Sequence, residues 1–320
     1  MSEAVSRSMQ MVPCDKCRTP NFVPQNLAKF QPVPCTECRH PVIAPVKLRQ
    51  FELRSVIGSG GMAMVFRAWD TVLEREVAVK MMSANIAAQP GALAAFYREA
   101  RFQAALNHTN IIHIYNYDED QGRKYLVMEV ADQGDLDNRI ETQGRVDELY
   151  VLDVGIQIAS ALDVVRQKDL MHLDIKPSNI LYNVDGVPKL TDFGIAKKVG
   201  AKRDDAEGLM GTPFYIAPER VSEGWQDWRS DLYSLAATLY HAATGEVPFD
   251  APSAEETVWA HVNGTLIPPN KKVKDITKDT SQTICKAMEK NPDNRYKSYD
   301  DFRMELEASR SRLLVQRFKR

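Results

Sequence analysis

His172-Leu173-Asp174-Ile175-Lys176-Pro177-Ser178-Asn179 lies midway along a chain of 320 residues and is followed, thirteen residues after Asn179, by Asp192-Phe193-Gly194. The first stretch gathers a carboxylate, a lysine two residues on and an amide oxygen three residues after that, and the second adds another carboxylate. A phosphoryl group in transit needs positioning and charge neutralisation more than covalent help. In such chemistry Asp174 can orient an attacking hydroxyl and accept its proton, while Lys176 offers a point charge to the oxygens of the moving group. Asn179 and Asp192 are hard oxygen ligands of the kind Mg²⁺ prefers when it bridges a nucleotide's phosphates. An isolated Asp-x-Lys would read as an ordinary turn, because Asp and Asn make turns readily. His-x-Asp-x-Lys-x-x-Asn followed by Asp-Phe-Gly is too long a pattern for that reading.

These two motifs resemble the catalytic loop and metal-binding motif of eukaryotic-like protein kinases in their bacterial serine/threonine form. The resemblance covers most of the chain, from about Phe51 to about Leu306. It implies an α+β fold of two protein-kinase-like lobes, a small β-rich N-lobe over 51–130 and a larger helical C-lobe over 131–308. The implied reaction moves the γ-phosphoryl group of ATP, with Mg²⁺, to a serine or threonine hydroxyl of a protein substrate. The alternative is a pseudokinase-like signalling scaffold that binds protein partners through a zinc ribbon, which the N-terminal cysteines resemble. Such proteins usually lack one of three groups that are present here as Lys80, Asp174 and Asp192.

Upstream of the loop, residues 51–57 run into Gly58-Ser59-Gly60-Gly61-Met62-Ala63-Met64-Val65, which reads as strand, glycine-rich turn, strand. Glycines let backbone N–H groups approach phosphate oxygens with no Cβ in the way. The family pattern carries a third glycine where this chain has Ala63. Glu76-Val77-Ala78-Val79-Lys80 alternates as a strand, and Lys80 matches the lysine that holds the α- and β-phosphates. Residues 91–106 show helical spacing, with Glu99 matching the glutamate that pairs with that lysine. Lys124-Tyr125-Leu126-Val127-Met128-Glu129 looks like the strand leading into the hinge. By this resemblance the nucleotide is held by Ile57, Gly58, Ser59, Gly60, Gly61, Val65, Ala78, Lys80, Met128, Glu129, Ala131, Asp135 and Leu181. Asp174, Lys176, Lys80 and Glu99 carry the chemistry, and Asn179 and Asp192 hold the metal.

Downstream, residues 149–167 form a long apolar helical pattern, and Gly211-Thr212-Pro213-Phe214-Tyr215-Ile216-Ala217-Pro218-Glu219 resembles the end of an activation segment. Asp231 matches an aspartate that braces the catalytic loop, and Arg295 an arginine that pairs with Glu219. Kinases switched by phosphorylation of that segment usually carry Arg before the catalytic Asp, where this chain has Leu173. No Ser, Thr or Tyr occurs from Gly194 to Met210 either, so activity is expected not to depend on activation-loop phosphorylation. It is expected to be ordered by other contacts, among Lys197, Lys198, Lys202, Arg203 and the acidic Asp204, Asp205 and Glu207, or by a partner.

Four of the five cysteines form two Cys-x-x-Cys pairs, Cys14/Cys17 and Cys35/Cys38, separated by seventeen residues. That is the spacing of a Cys₄ zinc site, and the unit over 13–45, too short for a core of its own, resembles a zinc ribbon. Iron on the same ligands is the alternative metal. Ribbon knuckles commonly place Gly after the second Cys, where Arg18 and Arg39 stand here. His40 reads as a surface residue. Residues 1–12 are expected to be disordered and 46–50 to be a linker, with Pro41 and Pro45 stiff enough to keep the ribbon near the small lobe. Cys285 falls in a helical pattern and is expected in the core.

The net charge is −2, with no excess of basic residues to meet a polyanion, so nucleic acid is not an expected partner. No apolar run approaches the ~20 residues of a membrane span, and the polar start lacks a signal-peptide core. A cytoplasmic location is expected. The basic tail, 309–320, reads as a solvated extension of the last helix.

Overall fold

The computed structural model describes residues 9–24, 30–60, 63–87, 89–198, 212–222 and 226–319. They divide into two compact units, Met1–Ala100 with Ile114–Val130, and Arg101–His113 with Ala131–Arg320.

The first unit opens with two short antiparallel hairpins. Strand β1 (Met9–Pro13) pairs with β2 (Pro20–Pro24), and β3 (Val33–Pro34) with β4 (Pro41–Val42). Strand structure therefore reaches back to Met9, into the stretch expected to be disordered. Val12 turns inward onto Cys14, Val23, Cys35 and Val42, and this small buried cluster holds β1 in place. The expected linker 46–50 is likewise replaced by structure. It forms β5 (Val46–Leu48), an edge strand paired with β6 (Phe51–Ser59), because Leu48 buries itself beside Phe51 and Leu53.

The sheet continues with β7 (Ala63–Asp70) and β8 (Arg75–Met82), then helices α1 (Ala84–Ala87) and α2 (Ala92–Ala104), then β9 (Ile114–Asp120) and β10 (Arg123–Met128). Its order is β5-β6-β7-β8-β10-β9. Period-two alternation divides each strand between two faces. Val77, Val79 and Met81 turn to a core that includes Phe66, Tyr125 and Val127. Ala78 and Lys80 turn the other way, while α2 packs Phe96 and Ala100 against Met82 and Leu126. Phe30 and Ile43, from the cysteine-bearing segment, join the sheet's core, and His40 Nε2 lies 3.1 Å from the Val56 carbonyl oxygen on β6. The cysteine-bearing hairpins are thus packed on the sheet.

The second unit is mainly helical. Its elements are α3 (Leu136–Gln143), α4 (Glu148–Gln167), β11 (Leu170–Met171), β12 (Ile180–Tyr182), β13 (Pro188–Leu190), β14 (Lys197–Lys198), α5 (Pro218–Ser222), α6 (Trp228–Thr244), α7 (Ala254–Asn263), α8 (Pro269–Lys272), α9 (Lys278–Ala287) and α10 (Tyr299–Phe318). Helix α6 is buried along nearly its whole length, with the hydroxyls of Ser234, Thr238 and Thr244 donating to the carbonyls of Ser230, Ser234 and Tyr240. Gly155 lets α4 approach its neighbours, since a Cβ there would meet Leu239 at 2.8 Å and Leu306 at 3.1 Å. Helix α6 ends at Gly245 with φ +78°, where a Cβ would fall 2.0 Å from the Gly144 carbonyl oxygen. Only glycine fits both demands there.

The basic tail is helical, but its arginines are paired rather than merely solvated. Arg310 lies 2.5 Å from Asp153, Arg312 3.4 Å from Asp279 and Arg317 2.6 Å from Asp147. Cys285, expected in the core, is only half-buried on α9, and burial is the main force pushing its thiol up. No helix among the described residues is long and apolar enough to cross a membrane.

Candidate active site

The β12–β13 hairpin brings the metal-ligating candidates together. Ile180 pairs with Leu190, so Asn179 stands opposite Thr191, whose N–H donates to the Asn179 carbonyl at 3.1 Å. Asp192 is the next residue and lies in the left-handed region at φ +66°, its Oδ1 accepting the Gly194 N–H at 3.3 Å. Asn179 Nδ2 donates to the Asp174 carbonyl at 2.8 Å and to Asp174 Oδ2 at 3.1 Å. That commits the amide's donor side and leaves its oxygen for a cation. The donor set, one amide oxygen and one carboxylate, fits Mg²⁺.

Asp174 is surrounded by groups that fix it. Lys176 Nζ lies 2.8 Å from Asp174 Oδ2. Both side-chain contacts fall on Oδ2, so among the described residues Oδ1 is the oxygen open to a substrate proton. His172 has no role assigned by the sequence motif, yet its ring ties the loop together. Nε2 donates to the Thr191 carbonyl at 3.0 Å, a tautomer fixed because a carbonyl can only accept, and Nδ1 accepts the Asp174 N–H at 3.3 Å.

Leu173 has φ +67°, a conformation that costs a non-glycine residue roughly 1–2 kcal/mol. Asp231 offsets that cost. Its buried carboxylate accepts the N–H groups of His172 and Leu173, both at 2.7 Å. Burial pushes the Asp231 carboxyl up, opposed by His172, by those two hydrogen bonds and by Arg220. Arg220 Nη1 also donates to the Leu173 carbonyl at 2.6 Å. No sequence signal marks Arg220, because an arginine in a short polar helix reads as a solvent charge.

In the first unit, Lys80 Nζ lies 2.5 Å from Glu99 Oε1, with Glu99 buried against the sheet. Register puts Val65 opposite Lys80 and Met128 opposite Ala78, so these four share one face of the sheet. Gly58 pairs with Val65, and a Cβ on it would meet that valine at 3.6 Å. Ile57 and Ser59 stand on β6, and the Gly60 N–H donates to the Ala63 carbonyl at 3.0 Å, closing the turn. Ala63 is buried where β7 begins, a position with room for a small side chain. Gly61 lies outside the described residues. Glu129 follows β10 in this unit.

Ala131, Asp135 and Leu181 belong to the second unit. Asp135 and Leu181 are bridge partners, and Asp135 Oδ1 accepts the Asn138 N–H at 2.7 Å in a capping box that starts α3. One oxygen of this ribose-contact candidate is therefore committed to a helix.

Glu219 and Arg295 form a fully buried bidentate pair with both contacts at 2.8 Å, and Ser230 Oγ donates to Glu219 Oε1 at 2.7 Å. Of the segment between Asp192 and Thr212, Lys197–Lys198 form β14 paired with β11, whereas Lys202, Arg203, Asp204, Asp205 and Glu207 lie outside the described residues.

The four sulfurs of Cys14, Cys17, Cys35 and Cys38 lie within 4.8 Å of one another and could hold a metal ion. Cys14–Cys38 and Cys17–Cys35 are each 3.6 Å apart, far too long for a disulfide and close to the ~3.8 Å edge of a tetrahedron with 2.3 Å metal–sulfur bonds. Cys14/Cys17 and Cys35/Cys38 sit in two turns of the same kind: Arg18 N–H donates to the Cys14 carbonyl at 2.8 Å and Arg39 N–H to the Cys35 carbonyl at 3.1 Å. Both arginines have φ +63°, so they adopt the left-handed geometry for which glycine is the usual choice. Backbone N–H groups, that of Cys38 foremost, bring the Cys35 thiol down to about 6.

The sequence profile of the protein kinase domain matches residues 51–304. The serine/threonine-protein kinase PknB of Mycobacterium leprae is 34% identical over 263 residues, covering 80% of this chain and 42% of the relative. A probable serine/threonine-protein kinase of Clostridium acetobutylicum is 34% identical over 258 residues, covering 80% and 39%, and one of Clostridium perfringens 33% over 259 residues, covering 81% and 38%. The chain spans about two fifths of the length of these curated relatives.

Proposed function

The chain belongs to the protein kinase family, and from that premise we propose that it is an active serine/threonine kinase that moves the γ-phosphoryl group of ATP to protein hydroxyls. The observation that carries this reading is the Asp174, Lys176, Asn179 and Asp192 group, with Asp174 held at 2.8 Å from Lys176 and at 3.1 Å from Asn179. Asp174 accepts the proton of the attacking hydroxyl. Lys176 faces the charge that develops on the moving group. Lys80, aligned by Glu99, meets the phosphates of the nucleotide. Asn179 and Asp192 would hold Mg²⁺, which supplies charge neutralisation along the phosphate oxygens. Phosphoamino-acid analysis of a labelled substrate should find phosphoserine and phosphothreonine, and label confined to phosphotyrosine would overturn the acceptor class.

Activity does not wait on activation-loop phosphorylation in this reading. Leu173 leaves no arginine beside Asp174 for a loop phosphate to neutralise, and residues 194–210 offer no acceptor. Phosphatase-treated enzyme should therefore keep its initial rate. A large drop, restored by autophosphorylation within residues 192–219, would contradict this.

The cysteine cluster is read as a structural zinc site. Its four sulfurs lie within 4.8 Å of one another, and metal binding can supply roughly 10–16 kcal/mol of apparent folding free energy to a unit whose own buried cluster is small. Elemental analysis of the reduced protein should give about one zinc per chain, and Cys14→Ser with Cys35→Ser should release it. Because Phe30 and Ile43 enter the core of the adjoining sheet, that variant should also lower the sheet's stability. Finding neither zinc nor iron would remove the site.

A further inference from the structure

Leu173 precedes the proposed base, and its backbone is held on both sides. Its N–H donates to Asp231 at 2.7 Å, and its carbonyl accepts from Arg220 at 2.6 Å. That carbonyl belongs to the peptide plane that ends at the Asp174 nitrogen, whose N–H reaches His172 Nδ1 at 3.3 Å. Rotating the plane would swing the Asp174 side chain with it. Asp231 and His172 fall within the motifs that identify the family, whereas Arg220 comes from α5, forty-seven residues from Leu173.

A leucine stays left-handed only where its surroundings over-determine it. The Asp231 contact fixes the N–H side of Leu173, and on the carbonyl side the guanidinium at 2.6 Å adds to the longer contact of the Asp174 N–H with His172 Nδ1 at 3.3 Å. The helix that carries Arg220 is itself anchored, because its neighbour Glu219 is locked to the buried Arg295 at 2.8 Å. An unbroken set of contacts therefore runs from Arg295 through Glu219 and Arg220 to the peptide next to Asp174.

We propose that Arg220 is a positioning residue for phosphotransfer: by holding the Leu173 carbonyl it keeps Leu173 left-handed and the Asp174 carboxylate aimed at the substrate hydroxyl. It does permanently, from α5, what a loop phosphate cannot do in a chain with leucine before its base. The proposal rests on the reading of Asp174 as that base.

The test compares Arg220→Met, Arg220→Lys, Asp174→Asn and the Arg220→Met/Asp174→Asn double variant of the full chain, with kcat, KM for ATP and melting curves for each. Arg220→Met should lower kcat by about 10²-fold, the scale of a misplaced reacting group, with KM for ATP and the melting transition near wild type. Arg220→Lys should recover most of the rate, since one ammonium N–H can serve one carbonyl. The double variant should be no slower than Asp174→Asn alone, as expected of residues acting through one group. A wild-type kcat in Arg220→Met, beside an inactive Asp174→Asn, overturns this proposal alone, and so does an equal slowing in both backgrounds. Loss of the melting transition in both Arg220 variants assigns Arg220 to folding and also overturns it. An Asp174→Asn enzyme at wild-type rate overturns the reading of the base, and the proposal with it.

Discussion

Asp174→Asn is expected to lower phosphotransfer by about 10²–10⁴-fold, the range lost when a positioned general base is removed, while leaving nucleotide affinity near wild type. The variant isolates chemistry from structure because asparagine keeps the volume of the side chain. The contact that shapes the loop most directly, Asn179 Nδ2 to the Asp174 carbonyl at 2.8 Å, is made to the backbone and survives. So do the two N–H bonds from His172 and Leu173 to Asp231. What disappears is the carboxylate that takes the hydroxyl's proton and pairs with Lys176 at 2.8 Å. Rates from a steady-state assay, set beside nucleotide titrations of both proteins, separate the two effects. Turnover at the wild-type rate would show that Asp174 is not the base.

Arg295→Met is expected to cost roughly 3–5 kcal/mol of stability, the range found when one partner of a buried ion pair is removed. Glu219 would remain buried and charged, with Ser230 Oγ at 2.7 Å as its surviving donor. Converting Glu219 to Gln in the same chain should recover part of the loss. It should not recover all of it, because Arg295 also donates to the carbonyls of Glu289 at 2.8 Å, Arg229 at 2.8 Å and Lys290 at 3.2 Å. Those three hydrogen bonds are lost whatever stands at 219. Urea denaturation followed by fluorescence reads both variants. A midpoint for Arg295→Met equal to wild type would refute the structural weight given to this pair.

The candidate catalytic residues were legible because the proposed reaction dictates such identities and spacing. Lys80 and Glu99 could be matched from an alternating strand and a helical pattern, and they meet at 2.5 Å. The metal-ligating candidates were legible for the same reason, and the β12–β13 register explains why Asn179 and Asp192 are neighbours. What stayed hidden depends on contacts that no residue pattern announces. Val46-Lys47-Leu48 is too short for alternation to register, and becomes a strand only because Phe51 and Leu53 offer an apolar edge. Strand β1 is ordered by contacts with Val23 and with Cys35 and Val42, on the far hairpin. The tail's arginines find acidic partners that are 157 and 170 residues away. Arg220 is the sharpest case, since its contact with Leu173 exists only once α5 is folded against the catalytic loop.

The central claim, ATP-dependent phosphotransfer to protein hydroxyls, is tested most directly by incubating the wild-type chain with γ-labelled ATP and a generic basic protein, with Mg²⁺ and with a chelator, beside Asp174→Asn. Label is expected on the protein substrate for the wild type with Mg²⁺, and little with the chelator or in Asp174→Asn. Wild-type incorporation no greater than that of Asp174→Asn would contradict it.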